Sequence, residues 1–543
     1  MLPLEIFARA PRAAARGIPG ILTWEKEGQM KRTRSVNGAS SRREFLKRGS
    51  AAAAIGAVMP LLSGETAAAQ SSDDARTFDR LTRANADRDR RILLKGGTIV
   101  SMDGAVGNFA QGDVLIQGKK IASIGADLSA AAQGGKAIVV DAKDMILIPG
   151  FCDPHIHSWQ GQIPRIVSNQ ISAPPGNPTH SYNTVMHETM ALSYRPKDMY
   201  AGTLMTMLVC INAGITTVCD NSHNSRSGAH SDAAIQALFD AGIRGVHASG
   251  NPHYGNWDHQ WPQDLHRLKQ KYCSSDDQLV TLRLMYAPGP EVIKVRKDLD
   301  LWITMEGGGN APNLPALYAS GDYNGKESYN HARGFPLPNM RAIVDHGAKV
   351  NVCPRIDSQY AGGASNNGLP AYQDWLNLGL RPGFSNDDPA TYAVDMFTEM
   401  HVMYALHRGA IMRERANGNP NPPPEATTRD MLESATIRGA ECCGVAHKVG
   451  TLTPGKEADI VLINTNDIHL YPKHNVITSV VEGAHIGNVD TVFIAGELRK
   501  WRGKLTSPLL GRNLEKIRQM VDESRDYLFA ATKWPLGKID FSD

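Results

Sequence analysis

Two histidines one residue apart close an apolar stretch: Ile148-Pro149-Gly150-Phe151-Cys152-Asp153-Pro154-His155-Ile156-His157. In an extended strand, side chains at i and i+2 face the same side, so His155 and His157 reach one point in space. Two imidazoles converging at a strand end make half of a site for a borderline divalent ion. A His-x-His pair also arises by chance. The setting favours the metal reading, because an apolar run from Val139 to Ile148, broken by a turn, and a Pro-Gly step lead straight into the pair. Further on, His223 closes Cys219-Asp220-Asn221-Ser222-His223 just past a predicted strand. That is a place for a residue that orients or polarises substrate, and equally for a plain surface-loop histidine. His230, His253, Trp257 and His259 crowd nearby loops. Together they would line a mouth; singly, each reads as loop packing.

The elements that must position these groups follow from periodicity. Between Pro149 and Gly444, helical periods alternate with short apolar strands, the pattern of parallel α/β units. Helices are predicted over Asp198 to Ala213 and Ser231 to Ala241. Strands are predicted over Gly214 to Asp220, Gly245 to Gly250, Leu282 to Tyr286, Leu301 to Met305, Val350 to Cys353 and Gly383 to Asp387. About three hundred residues of such units suit a (β/α)8 TIM-like barrel, whose chemistry sits at the strand C-termini. A doubly wound open sheet is the alternative, and no Gly-rich phosphate loop favours it. Upstream, Arg91 to Val100 reads as strand, Gly96-Gly97 turn and strand, and Asp113 to Gly125 as a hairpin. These strands are too few to close a core. Gly450 to Ile463 and Val489 to Leu498 offer more, so a small β-sandwich domain built from both chain ends is expected. Thr427 or Thr428 can cap a helix that Gly444 ends. Leu510, Leu514, Ile517, Val521 and Leu528 have the spacing of a C-terminal helix packed on the barrel.

The predicted organisation of the 543 residues is an over-long start (1–29), an export signal (30–69) and a linker (70–90). A composite β domain (91–148 with 445–505), a barrel (149–444) and a helical extension (506–543) follow. Ser41-Arg42-Arg43-Glu44-Phe45-Leu46-Lys47 resembles the twin-arginine export motif, and Ala67-Ala68-Ala69 offers a cleavage point before Gln70. The run Ala51 to Leu62 is shorter than the roughly 18–20 apolar residues of a spanning anchor. A periplasmic or secreted protein, with no membrane association after cleavage, is therefore expected. A formal charge of +3 gives no reason for a nucleic-acid partner. Seven cysteines, an odd number, exclude a fully intramolecular disulfide framework. Cys152, Cys210, Cys219 and Cys353 read as small buried thiols.

Three motifs in order then carry a resemblance: Pro149-Gly150-Phe151-x-Asp153-x-His155-x-His157, Ala435-Thr436-x-x-Gly439-Ala440, and Gly450-x-Leu452-x-Pro454-Gly455-Lys456-x-Ala458-Asp459. Over about residues 91–505 the chain resembles the amidohydrolase superfamily of metal-dependent hydrolases, in the branch of cytosine deaminase and chlorohydrolases. The resemblance implies a divalent ion, usually zinc, with iron, manganese or cobalt as alternatives. It assigns the ligands to His155 and His157, to His331 after the sixth strand, and to Asp387 after the eighth, with Asp388 as fallback. Asp387 would serve as general base, and His331 would share in catalysis.

The family's fifth-strand histidine has no counterpart here. Leu301-Trp302-Ile303-Thr304-Met305-Glu306 occupies its place, with Met305 at or next to the missing ligand and Glu306 able to supply an oxygen. On that alignment, Met305→His restores the ligand. A second departure is Gly334, where deaminase-like members often carry another histidine. His223, Glu306 and Arg355 are the expected substrate contacts, with Asp357 near them. The implied activity is hydrolysis of a non-peptide C–N bond (an amide, a lactam or an aminated ring) in a small molecule. The missing ligand keeps lyase or isomerase chemistry and a metal-free binding protein open, and self-association is left open as well.

Overall fold

Apolar side chains alternate along β1 (Arg91–Val100), where Ile92 and Leu94 enter one core cluster and Leu93 another. The computed structural model describes residues 73–167, 181–258, 260–285, 289–307, 312–359, 368–506 and 514–541. The predicted start, export signal and cleavage point lie outside the described residues, as do His259 and Leu510. The Gly96-Gly97 turn predicted inside β1 is instead a bulge in a continuous strand, with the register shifting on both sides of Gly97. A Cβ on Gly97 would stand 2.3 Å from Leu147 Cδ1, so glycine is needed where two strands crowd together. β2 (Asn108–Gln117) and β3 (Lys120–Gly125) form the expected hairpin. β4 (Ile138–Asp141) and β5 (Met145–Pro149) both run parallel to β1.

Next come the eight strands that hold the chemistry: β6 (Phe151–Ile156), β7 (Ile215–Ser222), β8 (Arg244–Ser249), β9 (Val280–Met285), β10 (Ile303–Glu306), β11 (Glu327–Asn330), β12 (Lys349–Val352) and β13 (Gly383–Phe384). They pair in sequential order, parallel throughout. Ile156 bridges Asp387, so the first strand meets the end of the last. The seam is held by Asp387 N–H donating to His155 O (3.0 Å) and His157 N–H donating to Asp387 O (2.7 Å). The sheet thus closes into a barrel, not an open doubly wound layer, and predicted site residues form its last bonds. Helices Pro196–Asn212 and Gly228–Ala241 match the predicted ones and begin slightly earlier. Pro196 suits a first helical turn, and Asp198 accepts from Arg195 N–H at 2.9 Å.

β14 (Ile460–Asn464), β15 (Val489–Ile494), β16 (Glu497–Trp501) and β17 (Lys504–Leu505) return to β5. Both chain ends therefore share one nine-stranded sheet, in the order β17-β16-β15-β14-β5-β1-β2-β3 with β4 beside β1. A small β-sandwich was expected here, and the strands form one continuous sheet. Bulges sharpen strand twist, and here they recur in β1–β2, β2–β3 and β14–β15. The sheet turns back until Lys120 bridges Glu457, around a core that includes Leu94, Ile116, Leu462 and Phe493.

The third sequence motif fastens this sheet to the barrel. Arg244 of β8 is buried and donates to Asp459 (Nε to Oδ2, 3.1 Å; Nη2 to Oδ1, 2.8 Å) and to Glu457 Oε2 (2.6 Å). Removing one partner of a buried ion pair strands the others, at a cost of about 3–5 kcal/mol. Arg244→Ala should therefore lower unfolding stability by about that amount in chemical denaturation, with no change in residues at the barrel mouth.

Thr427 is the helix cap, its hydroxyl accepting from Asp430 N–H at 3.2 Å, and Gly444 follows the helix with φ +72°. The C-terminal helix Leu514–Thr532 packs on the barrel side: Ser524 Oγ donates to Asp198 (2.7 Å) and Leu528 is fully buried. Among the described residues, no helix is long and apolar enough to cross a membrane.

Candidate metal centre

His155 is the last residue but one of β6, its ring fully buried, and His157 follows the strand with its ring centroid 4.8 Å away. Across the seam, Asp387 Oδ1 lies 2.9 Å from His155 Nε2 and 3.3 Å from His157 Nε2. Its other oxygen stands 3.8 Å from Nε2 of His331, the residue after β11. The two strand-end histidines, the sixth-strand histidine and the aspartate are thus brought together as the resemblance implied. Three non-glycine residues here, His331 (φ 60°), Ala332 (φ 49°) and Asp387 (φ 66°), hold left-handed backbone. Such strain costs of order 1–3 kcal/mol per residue and persists where the surroundings over-determine it.

The fifth strand corrects the alignment. Met305 is buried with its sulfur 3.6 Å from Tyr323 Oη, facing the packing between barrel and helices. Glu306, one residue on, faces the histidines, with Oε1 3.4 Å from His157 Nε2 and 4.0 Å from His155 Nε2. Alternation along the strand explains the difference. Glu306 therefore stands within the potential ligand set rather than only in contact with substrate. Its side chain keeps 28 % exposure, which opens it to the mouth.

A supporting layer fixes these groups. His331 Nδ1 donates to Asp357 Oδ1 at 2.9 Å, and Asp357 Oδ2 accepts from Cys353 N–H at 2.8 Å. Asn330 Nδ2 lies 2.8 Å from His155 Nδ1, with Asn221 against the same nitrogen, while His157 Nδ1 donates to Asn221 O at 3.2 Å. Neither asparagine carried a signal in the sequence, since an amide matters here only by its place. Asp153 accepts from Asn386 Nδ2 at 2.9 Å and ties β6 to the segment before Asp387.

Arg355 is engaged within the chain. Its Nε donates to Glu399 (2.6 Å) and its Nη2 to Asn386 Oδ1 (3.0 Å) and Ala393 O (2.8 Å), so it braces the segment that carries Asp387. Asp388, the fallback ligand, instead accepts from Thr391 N–H at 2.8 Å and shapes the next turn. His230 is occupied by Ser227 Oγ (2.7 Å) and Tyr194 O (3.0 Å), as helix packing. His223 is buried against His157, ring centroids 4.5 Å apart.

Burial works against charge on His157, but Glu306 and Asp387 outweigh it and raise the ring to about 9. Burial pushes His155 down, towards the neutral ring that ligates metals. Burial also opposes ionisation of Asp387, yet His155, His157 and His331 hold it well below the usual carboxylate range. Burial drives the Cys353 thiol well up, and that thiol lies 3.0 Å from Ser385 Oγ. Cys353 also lies near His155, His331 and Asp387.

The donor set suits a divalent ion. His155 Nε2 and His157 Nε2 both turn towards Asp387 Oδ1 and Glu306 Oε1, at 2.9–4.0 Å, so nitrogen and oxygen donors converge on one point. Three imidazoles with one or two carboxylates match zinc and its neighbours.

Residues 330–499 match the model of the Amidohydrolase family. The match covers less than half of the chain. It runs from the end of β11 through Asp387 to β16. The chain is similar to 5-methylthioadenosine/S-adenosylhomocysteine deaminases. The one from Pelotomaculum thermopropionicum is 24% identical over 432 residues, 75% of this chain and 92% of its own length. That from Caldicellulosiruptor saccharolyticus is 22% identical over 461 residues, 80% of this chain and 99% of its own. An adenosine deaminase from Xanthomonas campestris with bound zinc shares the fold at a TM-score of 0.65 and 17% identity, covering 80% of this chain and 98% of its own. Atrazine chlorohydrolase from Arthrobacter aurescens complexed with zinc does so at 0.65 and 19%, covering 79% and 100%.

Proposed function

We propose that this chain is a metal-dependent hydrolase of non-peptide C–N bonds, with an amino group on a small heteroaromatic ring as its target. The observation that carries this reading is the meeting of His155, His157, His331, Asp387 and Glu306 at the C-terminal end of the barrel strands. That is where barrel enzymes place their chemistry. The matched segment and the deaminase names of the similar proteins support the choice of bond.

His155, His157, His331, Asp387 and Glu306 would hold the ion, and zinc suits the set. When bound, such an ion supplies Lewis acidity, both towards water and towards the carbon under attack. Asp387, kept ionised by three imidazoles, accepts the proton released by the attacking water and returns it to the leaving nitrogen. His331, its Nδ1 committed to Asp357, is turned so that Nε2 faces the ion. Glu306, open to the mouth, is the carboxylate a substrate meets first. Lyase, isomerase and metal-free readings rested on the empty fifth-strand position, and Glu306 supplies an oxygen there.

General acid–base groups are worth about 10²–10⁴-fold. Asp387→Asn should therefore cut turnover by at least about 100-fold while keeping most of the metal, because the three imidazoles and Glu306 remain. Parallel steady-state kinetics and metal analysis check this. The reading as a whole is tested by ammonia release from the zinc-loaded protein with adenosine, 5-methylthioadenosine and an aminotriazine. Release from at least one ring is expected; a zinc-loaded protein silent on all of them would remove ring deamination.

The twin-arginine segment supports export to the periplasm before Gln70. Cell fractionation of Arg42→Lys/Arg43→Lys should find the protein held in the cytoplasm. Normal delivery of the double variant would refute the route.

A further inference from the structure

Beside the candidate ligand set, three more imidazoles converge from three separate segments. His187 comes from the single wide turn Asn183–Thr189, His223 directly follows β7, and His253 lies in the loop after β8. Ring centroids are 5.0 Å apart for His187 and His223, 4.8 Å for His187 and His253, and 4.5 Å for His223 and His253. One potential ligand atom of each lies within 4.8 Å of the other two. His223 is 2 % exposed, and its Nε2 is buried with no hydrogen-bond partner.

Packing alone accounts poorly for this arrangement. A buried ring nitrogen normally finds a partner, protein or water, and stacked imidazoles do not supply one through their faces. Three imidazoles sharing one ion would satisfy all three rings. Zinc–nitrogen bonds of about 2.0–2.1 Å place tetrahedral ligand atoms about 3.4 Å apart, so the cluster needs a closure of little more than an ångström. Two of the three segments are loops or turns able to give it.

We propose that His187, His223 and His253 form a second divalent-metal site at the barrel mouth, separate from the one held by His155, His157, His331 and Asp387. Three neutral nitrogen ligands suit zinc, cobalt, nickel or copper rather than magnesium or calcium. A site with three protein ligands keeps one tetrahedral position open. His223 lies against His157, so that position opens beside the first site, where an anionic or nitrogen-bearing part of a substrate could be held.

The test is metal stoichiometry, measured on the purified full chain after chelation and dialysis against Zn²⁺, with Co²⁺ absorption spectra as a second readout. Wild type is expected to hold two equivalents. His253→Gln, a change in an exposed loop, and His187→Ala/His253→Ala should each hold one and lose one of two cobalt signatures. His155→Ala should hold one and lose the other signature. A single equivalent in wild type, lost in His155→Ala and untouched in His253→Gln, overturns the second site and leaves the first standing. A single equivalent lost in His253→Gln and untouched in His155→Ala keeps the second site and removes the first.

Discussion

His155→Ala should abolish turnover and strip the first divalent ion from the protein. The histidine is the most enclosed member of the set. Its Nε2 is 2.9 Å from Asp387, and its ring centroid is 4.8 Å from that of His157 and 5.2 Å from that of His331. Without it, Asp387 and Glu306 face each other with one fewer imidazole to offset their charge, and the remaining donors no longer enclose an ion. Loss of Lewis-acid assistance removes several kcal/mol of transition-state stabilisation, roughly 4 kcal/mol or a thousandfold at the least. Turnover below background, together with loss of the first equivalent, is the expected result. A variant that keeps its metal and a tenth of its activity would show that His155 is not a ligand.

The second large effect falls on the fifth strand. Glu306→Ala removes the carboxylate 3.4 Å from His157 Nε2, and metal affinity should fall by more than the 10–100-fold typical of outer-layer losses. Met305→His, in contrast, should gain nothing. Its imidazole would point at Tyr323 and bury a polar ring at a cost of about 1–3 kcal/mol. Glu306→His is the change that brings a nitrogen ligand to the site. Competition with a zinc-binding dye across the three variants separates these outcomes: tight binding in Met305→His together with unaltered affinity in Glu306→Ala would reverse the assignment.

Much of this was legible in the residues. The barrel showed in its apolar strands because parallel strands covered on both faces are continuously hydrophobic. β11 did not, because Glu327-Ser328-Tyr329-Asn330 is polar; its burial is offset by partners far along the chain, such as Arg296 Nη2, 2.9 Å from Glu327. The histidine pair was visible because two ligands sit within three residues. His331 and Asp387 are single residues after short strands, and only the family pattern pointed to them.

Other features depend on spacing that sequence conceals. A one-residue difference between Met305 and Glu306 reverses which side chain faces the metal site. Arg355 looked free because its partner Glu399 lies 44 positions away. The course of the composite sheet was hidden for a similar reason: strand count says nothing of where bulges will turn one sheet back on itself.

The proposed site holds one divalent ion on His155, His157, His331 and Asp387. Its most direct test is an anomalous difference map at the zinc edge, from crystals of the full chain grown with Zn²⁺. A peak is expected within about 2.0–2.2 Å of His155 Nε2, His157 Nε2, His331 Nε2 and an Asp387 oxygen. A map with no peak among these four groups, or with His331 outside bonding distance of it, would contradict it.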